Sequence, residues 1–293
     1  MLGIPSHALK IARRRSRRPA RAELFPGRER DSGDRRFEDD RKEVTDESLH
    51  PKARERAGSV CAVIPFSRVE ERRDAKWVLS APTMADFYDV DSSEPFRHQP
   101  VAAVGTAFLV KRDVVATALH VATRVTSAQE LCFVFGYEVR NGHTRTVFDP
   151  GDVYLGAEIL WGHRGADIAL VRLDRQAKDR PTVPLRLRSR IQDEEDVYVI
   201  GFPAGLPAKF ADHARVTENP PGGRFFSANL DVMLCNSGSP IFSGRRHDVV
   251  GIVSRGPIGF TSRDEKLVSF FDQDEDDAVI SRITNLLSSS CFR

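Results

Sequence analysis

The sequence has no apolar run approaching the ~20 residues that a helix needs to cross a bilayer, and its mean hydropathy is -0.36. Insertion into a membrane through helices is therefore not expected. Cysteine is scarce: Cys61, Cys132, Cys235 and Cys291 lie far apart, with no Cys-x-x-Cys and no Cys/His ligand spacing. Neither a zinc site nor a disulfide-dense scaffold is indicated, so free thiols are the expectation, with no metal and no cofactor. Charge of one sign is lacking too, because 44 Lys/Arg stand against 42 Asp/Glu. The molecule as a whole offers no field suited to holding nucleic acid or a membrane surface. No apolar stretch after the first arginines is long enough for a secretory signal, which points to the cytoplasm and leaves organellar targeting open.

The charge that is present is segregated. Residues 1–57 carry 16 Lys/Arg and 11 Asp/Glu, and the first 22 hold seven basic groups, Arg13 to Arg18 among them, and no acid. Such a segment has too few large apolar groups to offset its ordering entropy, and residues 1–57 read as a disordered basic tail. Beyond being a solvated tail, it is open to contact with nucleic acid or anionic lipid, although it lacks the aromatic interleaving of a nucleic-acid site.

From Val101 onward the apolar residues come in runs of four to eight, rich in Val, Ile and Phe and bounded by Gly, Pro, Asp or Asn. That is a strand pattern, and the body reads as all-β. Strands are expected near 103–110, 114–118, 131–138, 168–173, 197–200, 214–218, 224–229, 240–243 and 249–254. The polar stretch from Asp174 to Pro184 reads as a linker between two β units. At the end, Val279, Ile283, Leu286 and Leu287 share one face at helical spacing after an acidic run, which predicts a C-terminal α-helix over about 276–288.

Three short strings carry chemistry. Val115-Ala116-Thr117-Ala118-Leu119-His120 ends a β-run in a histidine, Ala166-Asp167-Ile168-Ala169-Leu170 starts a strand with an aspartate, and Cys235-Asn236-Ser237-Gly238-Ser239-Pro240 presents a serine on a tight turn. Acyl transfer at a serine needs a base to take its proton and an acid to orient that base. In this order the strings resemble those of the trypsin-like (chymotrypsin-fold) serine peptidases, over roughly Val101 to Ser254. The resemblance implies His120 as general base, Asp167 as its orienting partner and Ser237 as nucleophile. It also implies an oxyanion hole from the backbone N–H groups of Cys235 and Ser237. The implied fold is two six-stranded antiparallel β-barrels with a C-terminal α-helix: a peptidase domain over 58–293, with one barrel at about 58–178 and the other at about 185–273.

Departures from the family pattern narrow the reading. Asn236 stands where zymogen-activated members have an Asp, so the chain looks closer to the bacterial glutamyl-endopeptidase-like and HtrA-like branches. Val104 and Val121 occupy positions where many secreted members have a disulfide. Cys235 replaces a glycine whose backbone freedom the oxyanion loop uses. Asp231, six residues before Ser237, resembles the base of the primary pocket, with a loop-capping carboxylate as the other reading; Ser254, Arg255 and Gly256 resemble the pocket wall. The implied function is a serine endopeptidase acting on protein or peptide substrates, its oligomeric state unread. The alternative is a catalytically silent module that binds peptides in the same cleft.

Overall fold

The computed structural model describes residues 39–124, 127–256, 259–263, 266–269 and 277–292. Twelve strands build two barrels. The first six are β1 (Val60–Pro65), β2 (Gly105–Lys111), β3 (Val114–Thr117), β4 (Leu131–Phe135), β5 (Val153–His163) and β6 (Ile168–Leu173). The second six are β7 (Asp196–Gly201), β8 (Lys209–Glu218), β9 (Phe225–Ala228), β10 (Pro240–Ser243), β11 (Val249–Arg255) and β12 (Ala278–Arg282). The first set closes antiparallel in the order β5-β6-β3-β2-β1-β4, with β4 returning to β5. The second runs β8-β7-β10-β11-β12-β9 and closes through β9 on β8. Both rings follow one connectivity, each barrel's strands meeting in the order first, second, third, sixth, fifth, fourth.

Successive side chains on a strand face opposite ways, and here both faces are used. On β1, Cys61 and Val63 join Leu109, Val115, Phe133 and Val171 in a cluster to which all six strands of the first barrel contribute. The alternate residues of β1, Ala62 and Ile64, join Phe108 and Leu170 with Tyr198, Ile200, Phe242 and Ile252 of the second barrel. A third cluster, including Val199, Val216, Phe226, Ile241 and Ile280, fills the second barrel. The barrels are thus sealed together by the outer faces of strands whose inner faces fill them, which is why the sequence shows apolar runs rather than clean alternation.

Two expectations are corrected. The segment 39–57 is ordered: Lys42–Glu43 pairs antiparallel with β8, and Pro51–Ala57 forms a helix capped by His50. A buried polar network holds it, for Lys209, 2% exposed, donates to Glu43, Gln99 and the Pro207 carbonyl. The earlier part of the expected tail, residues 1–38, lies outside the described residues. The C-terminal α-helix over 276–288 is replaced by β12, which pairs with both β9 and β11, followed by a short 3-10 helix, Ile283–Ser288. Closing the second barrel requires a sixth strand, and the β-branched Val279 and Ile280 supply it. Ile283 and Leu286, three apart, then bury one edge of the 3-10 turn, whose period is three. The acidic run before it lies outside the described residues except for Asp277. Among the described residues no helix is long and apolar enough to cross a membrane.

Candidate active site

His120 lies in a one-turn helix, Leu119–Ala122, directly after β3. Asp167 caps the 3-10 turn Arg164–Ala166, which His163 steadies by accepting the Ala166 N–H. Asp167 sits at φ +50°, a left-handed conformation that short polar side chains tolerate better than most. Its carbonyl accepts the Leu119 N–H at 3.2 Å, tying the two turns together. The carboxylate takes three donors: the His120 backbone N–H (3.1 Å), the His120 Nδ1 (2.8 Å) and the Ser254 hydroxyl (2.7 Å). Burial alone would raise the Asp167 carboxyl, but these bonds hold it below the usual carboxylate value. With Nδ1 occupied, the proton-accepting atom left to the imidazole is Nε2. Ser254, read from sequence as pocket wall, is 2% exposed and is the side chain that steadies Asp167.

Ser237 is brought to the same place by backbone contacts. Its carbonyl accepts the Thr106 N–H (2.9 Å), while the Gly238 N–H donates to Val253 and the Val253 N–H to Ser239 (2.8 and 2.9 Å), one residue from Ser254. Gly238 has φ +90°, and a Cβ there would lie 2.0 Å from the Thr106 carbonyl and 3.1 Å from the Ala118 nitrogen, two residues before His120. Only glycine allows this approach. Asn236, 2% exposed, meets the Ser239 hydroxyl rather than any charged group.

A model of the trypsin-like peptidase domain matches residues 105–252, half of the chain, a span that contains His120, Asp167 and Ser237. The chain belongs to this family. Among solved structures it is similar to the crystal structure of Rv3671c from M. tuberculosis H37Rv, determined as a serine-to-alanine mutant in an inactive form. The identity is 14%, the TM-score 0.45, and the match covers 79% of this chain and 84% of that one. No curated protein matches the sequence.

Within this trypsin-like domain the unusual residue is Cys235, which adopts φ +71°. A non-glycine residue in this region bears about 1–2 kcal/mol of strain. Thr106 Oγ1 donates to the Cys235 carbonyl at 3.3 Å, and the preceding Leu234 carbonyl accepts the Ala204 N–H at 2.7 Å. Ala204 is in turn fixed by Tyr88 Oη on its carbonyl, at 2.8 Å. Sequence reading missed Thr106, Tyr88 and Ala204, for the bonds they make are to backbone carbonyls and no residue pattern marks them. Burial pushes the Cys235 thiol up to about 11. Val104 and Val121 both pack on the cluster inside the first barrel, which fills the space beside the helix of His120.

Asp231 is 4% exposed, and its carboxyl is hydrogen-bonded to that of Asp40, from the segment 39–57. Arg255 and Gly256 are exposed. Oxygens of both carboxyls, Asp40 Oδ1 and Asp231 Oδ2, are buried without a hydrogen-bond partner. Burial, then the bond to Asp231 and the charges of Asp231, Asp212 and Asp39, push the Asp40 carboxyl up to about 8. The folded protein therefore keeps a proton that the unfolded chain loses near 3.8, so this pair favours folding most below pH 3.8. That contribution declines as pH rises toward 8 and is constant above it. Asp40→Asn should remove the decline and stabilise the protein at pH 8 by about 1–2 kcal/mol, a figure reduced for the partial solvation of the group. Urea denaturation of both proteins at pH 5 and pH 8 checks this, and equal differences at the two pH values would refute it.

Proposed function

We propose that the protein is a serine endopeptidase. The observation that carries this reading is the chain of hydrogen bonds from Ser254 through Asp167 to His120, set against the glycine turn that presents Ser237. His120 Nε2 takes the proton of Ser237 Oγ as that oxygen attacks the scissile carbonyl carbon. The carbonyl oxygen, now negative, is held by the N–H groups of Cys235 and Ser237. His120 returns the proton to the leaving amine, giving an acyl-enzyme, and then activates a water whose attack releases the acid and regenerates Ser237. Asp167 orients the imidazole throughout and stabilises its charged form. Protein or peptide segments are the proposed substrates, and the cytoplasm the proposed compartment.

Asn236 supports a place near the glutamyl-endopeptidase-like and HtrA-like branches, as it carries no charge for a newly cut amine to meet. Asp231, closed off by Asp40, is poorly placed to select Lys or Arg side chains. The test of the reading is labelling with a fluorophosphonate, which reacts quickly only with a base-activated serine; the adduct is expected on Ser237. Folded protein that remains unlabelled would favour the silent peptide-binding alternative.

The strain at Cys235 gives a second test. Cys235→Gly should raise kcat by a few-fold and leave KM nearly unchanged, because the oxyanion hole acts mainly on the transition state. Steady-state kinetics of the two proteins decide it, and a fall in kcat would show that the thiol contributes to the loop. The raised thiol pKa also predicts slow alkylation at neutral pH.

A further inference from the structure

Burying a guanidinium is costly unless its charge is paired and its N–H groups find partners. Arg41, at the start of the ordered segment 39–57, has a side chain only 1% exposed. The Asp39 carboxylate takes it as a fork, from Nε at 2.7 Å and from Nη2 at 2.6 Å, and Nη2 also donates to Ser269 Oγ at 3.1 Å. The Ser269 hydroxyl donates in turn to Glu94 at 2.6 Å, and the Phe96 ring lies 5.4 Å from the guanidinium carbon, a cation–π distance. Nη1 reaches a different part of the chain, donating to Met233 Sδ at 2.9 Å.

Met233 stands four residues before Ser237. Its carbonyl accepts the Asn236 N–H at 3.1 Å and so closes a turn around Leu234 and Cys235. A methionine side chain is flexible and fills space adaptably, so apolar packing with Tyr88, Ala204 and Phe260 defines its place less sharply than a charged donor on its sulfur does. Side chains alternate along an extended segment. Glu43, on the same side as Arg41, is anchored by Lys209 at 3.0 Å, and Lys42–Glu43 pairs with β8, so the backbone that carries Arg41 is fixed close by. Lys42, between them, faces a surface cavity lined also by Leu49 and His213.

We propose that Arg41 is the positioning residue of the oxyanion loop. Through Met233 it holds the turn 233–236, and with it the backbone N–H groups of Cys235 and Ser237, an inference that rests on the peptidase reading above. The support comes from a residue within the chain, in keeping with an Asn236 that has no charge to receive a newly cut amine.

The test compares full-length wild type with Arg41→Ala, Arg41→Lys, Lys42→Ala and Met233→Leu by steady-state kinetics on a peptide ester and by hydrogen exchange. Losing one oxyanion donor costs about 10²–10³-fold in kcat, and a loosened donor costs less. Arg41→Ala should therefore lower kcat by about tenfold or more with KM within about twofold of wild type, and amides at 233–237 should exchange at least about tenfold faster. Arg41→Lys keeps the charge without the fork and should fall between the two. Lys42→Ala should match wild type in both readouts. If Arg41→Ala loses its cooperative melt, Met233→Leu carries the test. It keeps the volume and removes the acceptor, and should show the same split between kcat and KM with a loss of about threefold or more. A kcat within about twofold of wild type, a loss expressed in KM, an equal loss in Lys42→Ala, or unchanged exchange at 233–237 would each overturn the proposal. Wild type that neither turns over nor takes the fluorophosphonate would instead defeat the peptidase reading, and exchange at 233–237 would then decide the role of Arg41 by itself.

Discussion

Ser237→Ala is expected to lower kcat by about 10⁴–10⁶-fold and to abolish fluorophosphonate labelling, with KM and melting temperature nearly unchanged. The kinetic loss follows from removing the attacking oxygen, while substrate still docks against an intact cleft. The fold should not suffer, because among the described residues no hydrogen bond is made to the Ser237 hydroxyl, while the turn is held by backbone bonds that alanine keeps. Residual activity should not pass to neighbours. Ser239 is fully buried with its hydroxyl on Asn236, and the Cys235 thiol, pushed up to about 11, is almost wholly protonated at neutral pH. Steady-state kinetics with a peptide ester, with mass spectrometry of the labelled protein, make the measurement. Labelling or turnover that survives in Ser237→Ala would place the nucleophile elsewhere.

Much of this fold is written in local pattern. The runs that form β2, β3, β6, β10 and β11 are short, apolar and bounded by turn residues, so they are legible without knowledge of their partners. β1 and β5 are not. β1 follows a charged segment that masks its start, and the outer half of β5 mixes Glu158, Trp161, Gly162 and His163 on a partly exposed surface. β12 has the apolar spacing of a helix and becomes a strand only because β9 and β11 both need an edge filled. The segment 39–57 departs from its expected disorder for a related reason: composition weighs apolar groups, whereas its order is tied to a buried polar network, Lys209 with Glu43, Gln99 and the Pro207 carbonyl.

The site shows the same division. His120, Asp167 and Ser237 stand in recognisable strings, and the structure joins His120 to Asp167 directly while bringing Ser237 beside them through Thr106, Ala118 and Val253. Ser254 was legible as a neighbour of the cleft but not as the donor to Asp167, since that role depends on a contact between residues 87 apart in the chain. Asp231 was legible as a position, but its surroundings were not, because Asp40 lies 191 residues earlier in the chain.

Asp167→Asn is the second large effect expected, a loss of about 10⁴-fold in kcat, the size of the effect when this aspartate is replaced in the chymotrypsin triad. In the wild type the carboxylate only accepts, so the His120 Nδ1 must carry the proton and Nε2 is free to receive the one from Ser237. An asparagine can keep its oxygen on the His120 backbone N–H, but its amide then faces Nδ1 and the Ser254 hydroxyl as a donor. The imidazole answers by moving its proton to Nε2, which can no longer act as a base. Removing the Ser254 hydroxyl alone, in Ser254→Ala, takes one of three donors and leaves the tautomer intact, so a loss of only about tenfold is expected. The stability of the two aspartate forms adds a check. Because the bonds from His120 and Ser254 lower the folded-state pKa of Asp167, its stabilising contribution is complete above the unfolded value near 3.8 and is lost as pH falls through the folded value. Wild type and Asp167→Asn should therefore differ in unfolding free energy at pH 7 and converge in acid. A variant that keeps kcat within about tenfold of wild type, or a stability difference independent of pH, would remove Asp167 from its proposed role.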